Sequence, residues 1–224
     1  MPRTKLADRK LPAYSLGEER FNAISHLVGF VLGVVGLVLA VVKAAGTGDV
    51  WNIVSAAVYG GTLVVLYLMS TLYHGLKFPL AKRVFQIIDH CAIFLLIAGT
   101  YTPLTLCALR PDHPVLAWAI FGVVWAAAIV GITLNAIDLK SFSKFSMICY
   151  IAMGWCIVLA TRPLLGIMKS GGLWLLLGGG VAYTVGAVLY ALGKKKHTFM
   201  HGIFHVFVVL GSVLHYFCIY FYCL

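Results

Sequence analysis

The stretch MHGIFHVF at residues 200–207 sets His201 and His205 four residues apart in otherwise apolar sequence. On a helix that spacing puts both imidazoles on one face, the way an HxxxH segment offers two nitrogens to one metal ion. Three other stretches carry ionisable groups at helical spacing. In EERFNAISH (18–26), Glu19, Asn22 and His26 are related as i, i+3, i+7. In LMSTLYH (68–74), Ser70 and His74 are i, i+4, and QIIDHCAIF (86–94) holds Asp89 and His90. A third His from another helix would complete a three-nitrogen set. Three protein ligands with an open fourth position are the pattern of catalytic zinc, whereas structural zinc takes four. Zinc lowers the pKa of water bound to it to about 7. Asp89 is then placed to accept a proton as general base, and Ser70 to orient water or donate to a developing oxyanion.

The elements that must position these residues follow from composition. The chain has 224 residues, 62% of them hydrophobic and only 11% charged. That is too few charges to cover a soluble domain, so the chain reads as an integral membrane protein. A helix needs about 20 apolar residues to cross the hydrocarbon. Seven stretches qualify, near 21–43, 51–74, 84–108, 114–136, 145–167, 172–193 and 199–222. The expected fold is all-α, a seven-transmembrane helix bundle forming one domain over 19–224, preceded by a short, flexible, basic tail over 1–18. The tail lacks the apolar core and cleavage site of a secretory signal peptide.

Charge orients the bundle. The net charge is +10, but it sits between apolar runs, which points to topology and anionic lipid rather than nucleic acid. Of the 17 Lys and Arg residues, those of the tail through Arg20, Lys77, Lys82, Arg83, Lys140, Lys144 and Lys194–Lys196 fall on one side. Lys43, Arg110, Arg162 and Lys169 fall on the other. The N-terminus is therefore predicted in the cytoplasm and the C-terminus outside. In that topology the start of helix 1, the end of helix 2 and the starts of helices 3 and 7 share one depth. Polar groups inside spans are functional candidates by default, and here four separate stretches bring theirs to the same level.

Plainer readings compete. Two histidines can simply hydrogen-bond across a bundle. Glu19 suits the cap of helix 1, and Asn22 suits interhelical hydrogen bonding. His90 points roughly 100° from Asp89, toward a backbone carbonyl. His113 and His197 fall in loops, and His215, roughly 20 Å along the helix from His201, reads as a packing residue. The six cysteines lack CxxC spacing and read as free thiols. Gly29–Gly33 and the glycines at 178–180 suit close helix packing. Trp51, Trp174, Tyr220 and Tyr222 suit interfacial anchoring. Pro103, closing GTYTP, should kink or stop helix 3. There is no Walker motif, GxSxG or nucleotide fingerprint.

EERFNAISH, STLYH, DHCAIFLLIAGTYTP, YIAMGW and HGIFHVFVVLGSVLHY together resemble the haemolysin III family, the bacterial branch of the progestin and adipoQ receptor family, over residues 15–224. The resemblance implies seven helices, an inward N-terminus, residence in a bacterial cell membrane, and a zinc ion near the cytoplasmic leaflet. It implies His74, His201 and His205 as ligands, Asp89 holding the zinc-bound water, Ser70 as the SxxxH serine, and Glu19, Asn22 and His26 as a supporting motif. A more distant resemblance to alkaline ceramidases implies a hydrolase that cleaves a lipid amide. Three imidazoles would also accept cobalt, nickel or copper. The alternative is a non-enzymatic membrane-homeostasis sensor, channel or cytolysin with a structural or regulatory zinc. A secreted cytolysin needs a soluble form, which this composition denies.

Overall fold

The structure, a computed structural model, describes residues 4–193 and 199–224, so Lys194–Lys196 and His197 lie outside the described residues. Among the described residues every regular element is helical, and seven helical segments are long and apolar enough to cross a membrane. They are α1 (Leu16–Thr47), α2 (Val50–Gly75), α3 (Pro79–Pro103, continued by a π-helical turn over Leu104–Leu109), α4 (Pro114–Asp138), a span broken into α5 (Ser143–Gly154) and α6 (Thr161–Ile167), α7 (Ser170–Gly193) and α8 (Met200–Tyr222). The chain is a multi-pass membrane protein.

Local chemistry fixes the helix ends. Ser15 caps α1 in a reciprocal capping box with Glu18, which starts the helix at Leu16 rather than near 21. Pro79 occupies the first turn of α3, where its missing N–H is no loss, so that helix also starts earlier than hydropathy alone suggests. α1 ends at Gly48, whose φ of 69° reverses the chain, and Asp49 caps α2 by accepting from the Trp51 N–H at 2.8 Å.

Two spans depart from the sequence reading. The regular α-helix of α3 ends at Pro103, but the span does not. It widens there into the π-helical turn, with the Arg110 N–H reaching back to the Thr105 carbonyl at 2.8 Å. Hydroxyls of Thr102 and Thr105, on either side of the proline, bond the Ala98 and Tyr101 carbonyls. The fifth span, predicted as one helix, breaks at Trp155 through a 3₁₀ stretch at Cys156–Ala160. The Tyr101 hydroxyl enters this break, donating to the Gly154 carbonyl at 3.0 Å and accepting from the Ile157 N–H at 2.8 Å. Freed backbone groups at membrane depth are tolerated where protein satisfies them.

α3 is the most enclosed span, and Phe94, Ala98 and Leu109 are fully buried along it. α1 buries a stripe of small residues, Gly29, Gly33, Gly36, Ala40 and Ala44, and turns Val28, Val31, Val38 and Val42 outward, as a lipid-facing helix does. The tail is not free. The Thr4 N–H bonds Asp138 Oδ2 at 3.0 Å, and Arg83 Nε donates to the Arg9 carbonyl at 2.9 Å. All six cysteines are unbridged.

Glycine sets the α1–α2 approach. A Cβ at Gly60 would lie 2.8 Å from the Leu37 Cα, whereas a Cβ at Gly122 meets nothing. Gly60→Ala should therefore destabilise the protein by about 1–3 kcal/mol. Gly122→Ala should leave stability unchanged or slightly higher. Thermal unfolding in detergent, followed by tryptophan fluorescence, compares the two.

Candidate metal centre

The starts of α1 and α8 are tied together before any histidine is placed. The Glu18 carboxylate accepts from the Ser15 N–H at 2.8 Å and from the Phe199 N–H at 2.9 Å. Phe199 takes φ 65°, a left-handed conformation uncommon outside glycine, at the entry to α8. Gly202, between the two α8 histidines, lets the helices close. A Cβ there would collide with the Phe21 ring and sit 3.0 Å from Asn22 Oδ1.

His74, from the last turn of α2, then meets His201 and His205. His74 Nε2 lies 3.2 Å from His201 Nε2, which lies 3.1 Å from His205 Nε2, and the three ligand nitrogens fall within 4.8 Å of one another. Nitrogens each about 2.0–2.1 Å from a tetrahedral zinc would be about 3.3 Å apart. The outer nitrogens decide where the protons are. His74 Nδ1 is 2.7 Å from Glu19 Oε2, and His205 Nδ1 is 3.2 Å from the Asn22 carbonyl. Both partners can only accept, so both Nδ1 atoms carry hydrogen and both Nε2 atoms present lone pairs. Those lone pairs face His201 Nε2 from two sides, and His201 Nδ1 is buried without a partner. One His201 proton can satisfy one neighbour well. A cation at the common point satisfies all three rings, so the donor set fits a metal ion. A ring nitrogen bonded to a carboxylate or carbonyl while the other faces the ion is the usual support of a metal-binding histidine.

Glu19 does not cap α1; Ser15 and Glu18 do that. Its carboxylate bridges His74 and Lys82 Nζ, each at 2.7 Å. Asn22 is buried, supplies its carbonyl to His205 and sets Nδ2 3.5 Å from His74 Nδ1. His26 faces the cluster: its ring stacks on His205 at 3.6 Å between centroids and 12°, with both ring nitrogens buried and unpartnered. Asp89 and Ser70 line the cavity beside His201 and His205, and the buried Ser70 hydroxyl stands next to the Asp89 carboxylate. His90 Nδ1 bonds the Gln86 carbonyl at 2.9 Å, as its helical angle suggested, and also lies 3.5 Å from Asp89 Oδ2. His113 is exposed. His215 packs against α7, its Nε2 bonding the Leu176 carbonyl at 3.0 Å.

Several site residues give no signal in the sequence. Lys82 counted there only as a topological charge, yet it pairs with Glu19. Ser25 Oγ sits 3.4 Å from His205 Nδ1 while bonding the Asn22 carbonyl. Tyr14, from the segment before α1, stacks on His201 with centroids 5.2 Å apart at 16°, and Tyr190 of α7 stands 5.3 Å away on another side. Burial pushes the Tyr14 phenol above its ordinary range, so it stays neutral over the cluster. From the histidine end a cavity of about 180 Å³ runs into the bundle between α3, α5, α7 and α8. Ile93, Ile97, Met147 and Ile151 make much of its wall apolar.

Residues 14–216 match the family model described as haemolysin-III related. The chain belongs to that family. It is 41% identical over 207 residues to Hemolysin-3 of Bacillus cereus, covering 92% of each chain. It is 39% identical over 210 residues to the Hemolysin-3 homolog of Bacillus subtilis strain 168, covering 94% of this chain and 96% of that one. A weaker likeness, 26% over 208 residues, links it to the human monocyte to macrophage differentiation factor, covering 90% and 83%. In this haemolysin-III-related chain the matched region contains the whole histidine cluster together with Tyr14, Glu19 and Asp89.

Glu19 orients His74 without being one of the three nitrogens. Glu19→Gln should weaken binding of a divalent transition metal by about 10–100-fold while the helical circular dichroism is unchanged. Competition with a chromogenic chelator measures the affinity.

Proposed function

We propose that this membrane protein is a zinc-dependent hydrolase of a lipid amide, with His74, His201 and His205 holding the ion. One observation carries the reading: three imidazole nitrogens lie within 4.8 Å of one another, His201 Nε2 being 3.2 Å from His74 and 3.1 Å from His205, and His201 and His205 line a largely apolar cavity. When bound, zinc supplies a Lewis acid that polarises a carbonyl and brings water toward ionisation near pH 7. The chain's own groups do the rest. Asp89 takes the proton of the attacking water and returns it to the leaving amine. Ser70, buried beside Asp89, orients that water or donates to the oxygen on which charge develops. Glu19 and the Asn22 carbonyl fix the tautomers of His74 and His205, and His26 holds the His205 ring by stacking. The apolar walls take up the hydrocarbon of the substrate and keep bulk water away. By the charge count this end of the bundle faces the cytoplasm, and the membrane is the bacterial cell membrane.

A second reading, a non-enzymatic membrane protein with a structural or regulatory metal, draws on the relatives' names, since neither Hemolysin-3 nor the human factor is named as a hydrolase. Elemental mass spectrometry of detergent-purified protein should find about one zinc per chain, lost in His201→Ala; a well-folded wild type without metal defeats the hydrolase reading. With metal established, Asp89→Asn should retain zinc and lose about 10²–10⁴-fold in hydrolysis of lipid amides. A fully zinc-loaded wild type that leaves every lipid amide and ester intact favours the second reading.

A further inference from the structure

Arg9 lies outside the histidine cluster and takes no part in its chemistry. Its side chain is buried, at 7% exposure, against the ends of α3 and α4. Among the described residues only Nη2 has a protein partner, the Ile137 carbonyl at 3.2 Å; Nε and Nη1 are buried with none. A buried guanidinium keeps its charge and needs an anion or a full set of acceptors. Among the described residues no acid supplies one. Asp138 is taken up by the backbone N–H groups of Thr4, Lys140 and Ser141, and Asp8 is exposed. Arg9 borders a pocket lined also by Thr4, Lys5, Leu6, Ile87 and Ala136. Arg83 adds a third positive charge behind it, through its bond to the Arg9 carbonyl.

We propose that this pocket binds a phosphate group, with Arg9 as the principal donor and Lys5 as the outer cation. Guanidinium N–H groups bond phosphate oxygens through charge-assisted hydrogen bonds, which are the strong ones. The neighbouring Leu6, Ile87 and Ala136 give the pocket an apolar side, which suits the glycerol and upper acyl carbons of an anionic phospholipid. Basic groups at the end of a bundle are where such headgroups are recognised. Free phosphate offers the same oxygens without the hydrocarbon.

The test uses the full chain in detergent, titrated separately with short-chain phosphatidylglycerol and with inorganic phosphate, and reads the unfolding temperature by tryptophan fluorescence. At least one probe should raise the wild-type unfolding temperature. In Arg9→Gln the midpoint of that titration should move to about tenfold higher concentration or more. Lys144→Gln, a charge change elsewhere at the same end, should leave it in place. A response to phosphatidylglycerol alone assigns a lipid headgroup, and an equal response to inorganic phosphate assigns the free ion. The Arg83 anchor uses the main-chain carbonyl of residue 9, so Arg9→Gln keeps it; should that variant not fold, Lys5→Gln replaces it with a smaller shift expected. Equal midpoints in wild type and variant, or no wild-type response to either probe, overturns the proposal.

Discussion

Two imidazole lone pairs aimed at a third ring nitrogen from about 3 Å are not a stable arrangement in an apolar bundle, and much of this structure exists to hold them there. His74 and His205 each commit their only N–H outward, to the Glu19 carboxylate and the Asn22 carbonyl. Both partners belong to the first two turns of α1. A helix whose other spans face lipid thus determines, through two hydrogen bonds, where two nitrogens on α2 and α8 point. The Ser15–Glu18 capping box and the Glu18 bond to Phe199 fix α1 against α8, so the spacing within the cluster inherits the precision of helix ends rather than loops.

The charges near the cluster form a graded series. Lys82 neutralises Glu19 on the outer side, which leaves the His74 side of that carboxylate as a strong acceptor without leaving a bare anion at the membrane boundary. Tyr14 covers His201 with an aromatic face carrying no formal charge. Further in, the polar groups thin out to Ser70, Asp89 and the unpartnered His26. Apolar wall takes over beyond them.

The irregular stretches serve the same end. The π-helical turn after Pro103 and the break at Trp155 lie on the spans that bound the cavity or support it, and Tyr101 satisfies the backbone of both neighbours of that break. A regular fifth span would leave the Tyr101 hydroxyl without this role. The tail, docked through Thr4 and Arg9, carries Tyr14 to its place over His201 and leaves an unpaired guanidinium beside the membrane boundary.

The number of spans, their order and the common level of the polar groups were already readable from the residues, because hydropathy and charge are properties of each segment alone. Seven spans, the glycine stripes, His74, His201, His205 and Asp89 at one level, and the carbonyl-directed His90 were all legible for that reason. Rotation about each helix axis and the reach of long side chains are settled only between segments. The sequence could not say that Lys82 bonds Glu19, that Tyr14 folds back onto His201, or that Glu18 rather than Glu19 caps α1. It could not say whether His26 turned toward the cluster; packing of α1 against α8 stacked it on His205. Pro103 read as a kink or a stop because a missing N–H is a local defect; the regular α-helix does end there, and a wider turn carries the span on. The fifth span read as one helix because its composition is uniformly apolar, and its break is tolerated because a tyrosine from α3 satisfies the backbone there.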